Sequence, residues 1–347
     1  MKVLIIDDSV LFRILLKTLV RSIEGVEVCA TASDGEAGLQ AVEEHHPDVV
    51  LLDVEMPKMT GLDVMKAIKT RGMEDVHVIM CSAFTVAGAE VTVKALELGA
   101  HDFITKPEGK DKDESIQLLK RQLIPELEEI KAAIAAGPAK PQKTVRERPS
   151  FQSPGTKIHA DIVGIGISTG GPKALAKVLP ELPASFKLPI VIVQHMPKLF
   201  IESLASSLNE KCSLQVKVAR EGECLEKGKV YIAPGELQMA VVEEQGRKLI
   251  KLSDDPPENY CRPAVDYLFR SLAQVYGSRV VGIVMTGMGA DGAKGLLQIK
   301  NNGGYTIAQD QNSSTIYGMP QEAYKAGAVK SVLSLEQIAG HLLQNVF

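Results

Sequence analysis

Asp7 and Asp8 in KVLIIDDS, Asp53 in DVVLLD, Ser82 in VHVIMCS and Lys106 in DFITK each follow or end a short apolar run. Brought to one edge, they would offer three carboxylates, one hydroxyl and one ammonium. Unpaired carboxylates ~4 Å apart repel by about 4 kcal/mol at an effective dielectric of 20. A hard divalent cation relieves that repulsion, and Mg²⁺ suits one or two carboxylates together with phosphate oxygens of a substrate. In such a cluster Asp53 can act as a nucleophile and form an acyl phosphate. Lys106 would neutralise one phosphoryl oxygen, and Ser82 would donate a hydrogen bond to another. A lone Asp or Ser at any of these places would merely end a strand or cap a helix; the set of five argues for chemistry.

The second group lies in DIVGIGISTGGPKAL, residues 161–175. Its glycines fit a dinucleotide-cradling loop, and Gly166-Ile167-Ser168-Thr169-Gly170 fits the G-x-S-x-G turn that exposes a nucleophilic serine. The dinucleotide reading fails two checks. The third glycine comes one residue late for G-x-G-x-x-G, and the next strand, LPIVIVQ, ends in His195 where an acidic residue should meet the ribose. The serine reading needs a base and an orienting acid. His195 follows a strand in VQHMP, and Asp291 lies in MTGMGADGAKG between a strand and a helix. Pro172 suits the first turn of a helix after Ser168, which would aim N–H groups and the positive dipole end toward the hydroxyl. The chain order Ser–His–Asp departs from the Ser–Asp–His order of α/β-hydrolases. Taken singly, Ser168, His195 and Asp291 have bland explanations, the last as a helix cap; taken together they favour catalysis.

Parallel sheets can gather such residues, because ligands sit at the carboxyl ends of their strands. Residues 1–107 alternate the runs KVLII, VEVCA, DVVLL, VHVIM and DFIT with amphipathic stretches. That pattern predicts a five-stranded parallel sheet wound on both faces. A helical stretch, ESIQLLKRQLIPELEEIKAAIAA, closes the unit, and Pro125 should kink or end its helix. From Ala135 to Lys157 the chain carries four prolines and almost no aliphatic content, which reads as a flexible linker. From Ile158 the alternation returns and predicts a second, mostly parallel doubly wound α/β domain, with a strand-only region near 214–252. The expected divisions are 1–122, 123–157 (helix end and linker) and 158–347.

The 347 residues suit two domains, and the net charge of −4 gives no basic footprint for nucleic acid. No apolar run nears the ~18 residues of a membrane span. Five dispersed cysteines without C-x-x-C pairing read as reduced thiols of a cytoplasmic protein. The residues alone thus reach a serine acyl hydrolase under phosphoryl control. The rival is a non-enzymatic phospho-switch whose second domain binds a partner or a nucleotide.

IIDDS, LLDVEMPKMTGLD, MCSAFT and GAHDFITKP resemble the receiver domain of two-component response regulators. The resemblance implies a flavodoxin-like sheet and phosphorylation at Asp53 by a histidine kinase as phosphodonor. It also implies Mg²⁺ on Asp8, Asp53 and the backbone of Glu55, with Asp7 nearby. Ser82, Phe103 and Lys106 match the positions that respond to the phosphoryl group. Thr60 stands where many receivers have an acidic residue. GISTGGPKAL, VQHMP, VYIAPG, RPAVDYLF, TGMGADGAKG and TIAQD look like the catalytic domain of the chemotaxis protein-glutamate methylesterases, the CheB family. That likeness implies Ser168 as nucleophile, His195 as general base and acid, and Asp291 as orienting acid. Thr169 would be the neighbouring hydroxyl, and Met288 the position whose N–H lies near the oxyanion. Cys261 and Ala264 depart from the family's usual histidine and serine. The family implies demethylation, with deamidation of glutamine at the same site, on the cytoplasmic region of chemoreceptors for chemotactic adaptation. It implies no cofactor for the esterase site and a monomer. It further implies control by the receiver docking over the second domain and shifting on phosphorylation.

Overall fold

The computed structural model describes residues 1–73, 75–107, 112–136 and 157–347. The chain divides into two compact units, Met1–Thr144 and Val145–Phe347. Of the expected linker, residues 137–156 lie outside the described residues.

In the first unit the apolar runs form β1 (Lys2–Ile6), β2 (Glu27–Ala32), β3 (Val49–Asp53), β4 (His77–Ser82) and β5 (Asp102–Thr105). They pair in the order β2-β1-β3-β4-β5, all parallel. Strands β1, β3 and β4 are buried almost throughout, as expected where both faces of a sheet are covered. The covering helices are α1 (Val10–Arg21), α2 (Gly35–His45), α3 (Gly61–Thr70), α4 (Val86–Leu98) and α5 (Lys112–Ala136). The strand order reverses between β1 and β3, the place where such sheets open a ligand crevice. Asp7 follows β1 directly, and Asp53 ends β3.

Helix α5 does not end at Pro125, the second of the two expected outcomes there. It runs through Pro125 as one helix of 25 residues, and the expected boundary at 122 falls inside it. An internal proline costs about 3 kcal/mol. Leu119, Leu123, Leu127 and Ile130 bracket it and are fully buried in the core of this unit. At roughly 1.5–3 kcal/mol for each such side chain, packing outweighs the break.

In the second unit, β6 (Ile162–Ile167), α6 (Gly171–Val178), β7 (Ile190–Gln194), α7 (Lys198–Lys211), β8 (Gln215–Val218) and β9 (Lys229–Ile232) come first. Next are β10 (Gln238–Glu244), β11 (Arg247–Ser253), α8 (Val265–Tyr276), β12 (Val280–Val284) and α9 (Ala293–Asn301). The unit ends with β13 (Tyr305–Gln309), α10 (Met319–Lys325), β14 (Ser331–Leu333) and α11 (Leu335–Asn345). Seven strands pair in the order β14-β13-β12-β6-β7-β9-β8, all parallel. β10 and β11 form a separate antiparallel hairpin, so residues 215–253 carry strands without an intervening helix, as predicted. The chain leaves β6 toward β7 and later returns to lay β12 on the other side of β6. That is the second crevice.

Candidate active site

Ser168 follows β6 directly, and His195 follows β7. The two strands are neighbours with Ile167 paired to Gln194, so Ser168 and His195 stand side by side at the carboxyl edge. Asp291 comes from the loop after β12, on the far side of β6. Local bonds hold each backbone. Ser168 N–H donates to Thr286 O (3.0 Å), and Ser168 O accepts from Gly171 N–H (2.8 Å) and Gln194 Nε2 (3.0 Å). Thr286 Oγ1 donates to Thr169 O (3.0 Å), tying the β12 loop to the serine turn. A methyl group on Gly287 would lie 2.7 Å from Ser168 Cβ, so only glycine lets this loop approach so closely.

The glycines that suggested a phosphate cradle serve packing instead. A Cβ on Gly166 would meet Val265 Cγ1 at 2.2 Å, and one on Gly164 would meet Leu272 Cδ1 at 2.5 Å. They let α8 lie directly on β6. Gly170, at φ 76°, ends the turn and opens α6, with Pro172 in its first turn.

His195 Nε2–H donates to Asp291 Oδ2 (2.8 Å), leaving the Nδ1 lone pair on the other side of the ring. Asp291 is buried, and its carboxylate also accepts from Val265 N–H (2.7 Å), Asp266 N–H (3.0 Å) and Asn259 Nδ2 (2.8 Å). Burial would raise its pKa, but the His195 contact and the two backbone donors hold it below the ordinary value. Burial pulls the His195 pKa down; the Asp291 and Cys261 contacts outweigh it and raise it to about 9. The half-buried Ser168 hydroxyl makes no hydrogen bond to His195, although the two residues directly follow paired ends of β6 and β7. Catalytic hydrogen bonds are often loose before substrate arrives. Thr169 is buried, and Met288 is half-buried beside Gly287, its N–H without a partner among the described residues.

In the first unit, Lys106 Nζ lies 2.7 Å from both Asp7 Oδ2 and Asp53 Oδ2. Oxygens of Asp7, Asp8 and Asp53 lie within 4.8 Å of one another. Asp7 and Asp53 are buried, whereas Asp8 faces solvent. Burial pushes Asp53 up to about 6, against the pull of Lys106 and with the push of Asp7. Ser82 is buried at the end of β4, and Lys106 N–H donates to its carbonyl (2.7 Å). Glu55 N–H donates to Asp53 Oδ1 (3.3 Å), which places its backbone at the cluster. Phe103 is half-buried on β5, two residues before Thr105, the partner of Ser82 in register. Three carboxylates against one ammonium make a hard, oxygen-rich, net negative donor set, which fits Mg²⁺. A pocket of about 410 Å³ lined by Asp8, Glu55, Met56 and Thr60 opens beside it.

Known proteins share both halves. The response regulator receiver domain profile matches residues 3–118, and the CheB methylesterase profile matches residues 163–342. A protein-glutamate methylesterase/protein-glutamine glutaminase of Desulfotalea psychrophila is 40% identical over 100% of this chain and 98% of its own length. One of Pyrococcus abyssi, with the same name, is 43% identical over 97% of this chain and 91% of its own. This chain belongs to the CheB methylesterase family. The crystal structure of the Thermotoga maritima CheB methylesterase catalytic domain aligns with a TM-score of 0.52 at 39% identity, over 54% of this chain and 98% of that one.

Of the two residues that the resemblance set apart, Ala264 lies at the start of α8 and Cys261 beside the histidine. Ala264 cannot cap α8 with a side chain, and the Asp291 carboxylate receives the first N–H groups of that helix instead. Cys261 places Sγ 3.7 Å from His195 Nδ1. Sequence reasoning missed Asn259, whose Nδ2 bridges Asp291 Oδ1 (2.8 Å) and Asp266 Oδ2 (2.9 Å). Asn259 and Tyr260 both take left-handed backbone, φ 53° and 64°, and that turn swings the asparagine inward. An N-Y pair followed by C-R-P was the only local signal.

Proposed function

We propose that this chain is a phosphorylation-activated protein-glutamate methylesterase acting on methylated chemoreceptors. The observation that carries this reading is the His195–Asp291 pair standing beside Ser168 at one sheet edge. Ser168 Oγ attacks the ester carbonyl while His195 Nδ1 takes its proton. Asp291 keeps the imidazole oriented and stabilises the imidazolium that forms. The Met288 N–H and the N-terminus of α6 supply donors for the oxyanion, each worth roughly 10²–10³ in rate. His195 then returns the proton to the departing methanol, and a water attacks the acyl-enzyme with the same base. A receptor glutamine offers an equivalent carbonyl with ammonia as the leaving group, so deamidation belongs to the same site.

Asp8, Asp53 and the backbone of Glu55, with Asp7 beside them, would hold Mg²⁺, which neutralises phosphoryl oxygens when bound. Asp53 accepts the phosphoryl group from a histidine kinase, while Lys106 and the Ser82 hydroxyl meet its oxygens; Phe103 responds with Ser82. Residues 1–136 act as the receiver, and 158–347 as the esterase.

Methanol release from methylated receptor membranes tests the assignment. Ser168→Ala should abolish it while leaving phosphorylation of Asp53 intact. Undiminished release from that variant ends the assignment.

A further inference from the structure

We infer that Cys261 and His195 form a chelating pair for a soft divalent cation such as Zn²⁺, which holds the esterase off. The sulfur and Nδ1 lie 3.7 Å apart. Zinc bonds of ~2.3 Å to sulfur and ~2.05 Å to nitrogen, at a tetrahedral angle, set those two donors about 3.6 Å apart. The spacing of the two donors therefore already matches that of a shared cation.

The rest of the histidine's surroundings suit a metal ligand. A ligating imidazole ordinarily donates its other N–H to a carboxylate, which fixes the ring and strengthens the donor. Here His195 Nε2–H donates to Asp291 at 2.8 Å, and Asp291 is held by three further donors. That carboxylate is committed to its partners and serves as the outer support. Sulfur with imidazole selects soft or borderline cations over Mg²⁺, so this site and the oxygen cluster around Asp53 take different ions. Cys261 and His195 are both half-buried, and water would complete the coordination. Binding releases the thiol proton, together with any proton on Nδ1, to solvent and forms Zn–S and Zn–N bonds. The Nδ1 lone pair that would take the Ser168 proton is then occupied. The inhibition rests on the proposed esterase mechanism; the binding does not.

The test uses the full-length protein with excess Mg²⁺ to fill the carboxylate cluster. Co²⁺ replaces zinc as an optical probe, and Zn²⁺ is titrated against methanol release. The unaltered protein should show a near-ultraviolet thiolate-to-cobalt band at one equivalent, and zinc inhibition that a chelator reverses. Cys261→Ala and Cys261→Ser should both lose the band and weaken the zinc effect by about tenfold or more. Cys212→Ala should change neither. A band that survives in both Cys261 variants, or one never seen in the unaltered protein, overturns the site. An intact Cys261-dependent band in a chain without esterase activity supports the site and overturns only the esterase reading.

Discussion

Burial alone would keep the His195 imidazole neutral, yet Asp291 on one nitrogen and Cys261 beside the other raise its pKa to about 9. A base must be unprotonated to accept the serine proton, so kcat/KM should climb with pH and level off only above about 9. Replacing Asp291 with Asn removes the charge that raises the imidazole. The inflection should then move toward the ordinary histidine value near ~6.5, and the rate should fall by roughly 10³–10⁴. An inflection already near the ordinary value in the unaltered protein would contradict the coupling. At this scale the sequence is legible where chemistry imposes a spacing: Ser168 sits in a G-x-S-x-G turn, and His195 and Asp291 stand at strand ends. Asn259 escaped notice because its inward turn depends on left-handed backbone at a residue that is not glycine. The contact of Cys261 with Nδ1 was hidden for a similar reason, since it depends on where that turn lands.

Helices and strands of the second unit position the site through close approach. Helix α8 lies on β6 because Gly164 and Gly166 carry no side chain there, and its first two N–H groups hold Asp291. Gly166→Ala would drive a methyl group into Val265, 2.2 Å away. The expected cost is about 1–3 kcal/mol, visible in denaturant unfolding, with a loss of esterase rate although no triad residue has changed. Adding Val265→Ala should recover much of both; no recovery would argue against the wedge. The alternation of apolar runs made nearly every element readable in advance. What it could not show was that these glycines face a helix, because a glycine for packing and a glycine for phosphate are the same residue in a string. The course of α5 through Pro125 was unreadable likewise. Local propensity argued for a kink or an end, and the buried leucines on both sides explain why the helix does not end there.

Strand order belongs to the whole molecule and leaves no mark on the strands themselves, since it is set by the crossovers. Two parallel sheets were foreseeable, and the flavodoxin-like likeness carried the order of the first with its crevice between β1 and β3, but the order that opens another beside β6 was not foreseeable. In the first unit that arrangement conflicts with stability. Asp53 has its pKa raised from 3.8 to about 6, mainly by burial. A carboxyl with a raised folded-state pKa favours folding most when it is protonated, below its unfolded value, and loses that advantage as pH rises through about 6. At neutral pH the ionised Asp53 therefore opposes folding of its own unit. Asp53→Asn should stabilise the unit by about 1–3 kcal/mol at pH 7, and this gain should vanish below about pH 4. Lys106 keeps Asp7 as a partner in the variant, so no buried ammonium is stranded. Saturating Mg²⁺ should narrow the difference, because a cation that binds only the folded unaltered cluster stabilises it by mass action. The same substitution should abolish the rise in esterase rate that a phosphodonor produces while basal hydrolysis continues. Unfolding curves at pH 4 and pH 7, with and without Mg²⁺, check the first claim: an Asn variant less stable than the parent at pH 7 would show that Lys106 outweighs burial at this carboxylate.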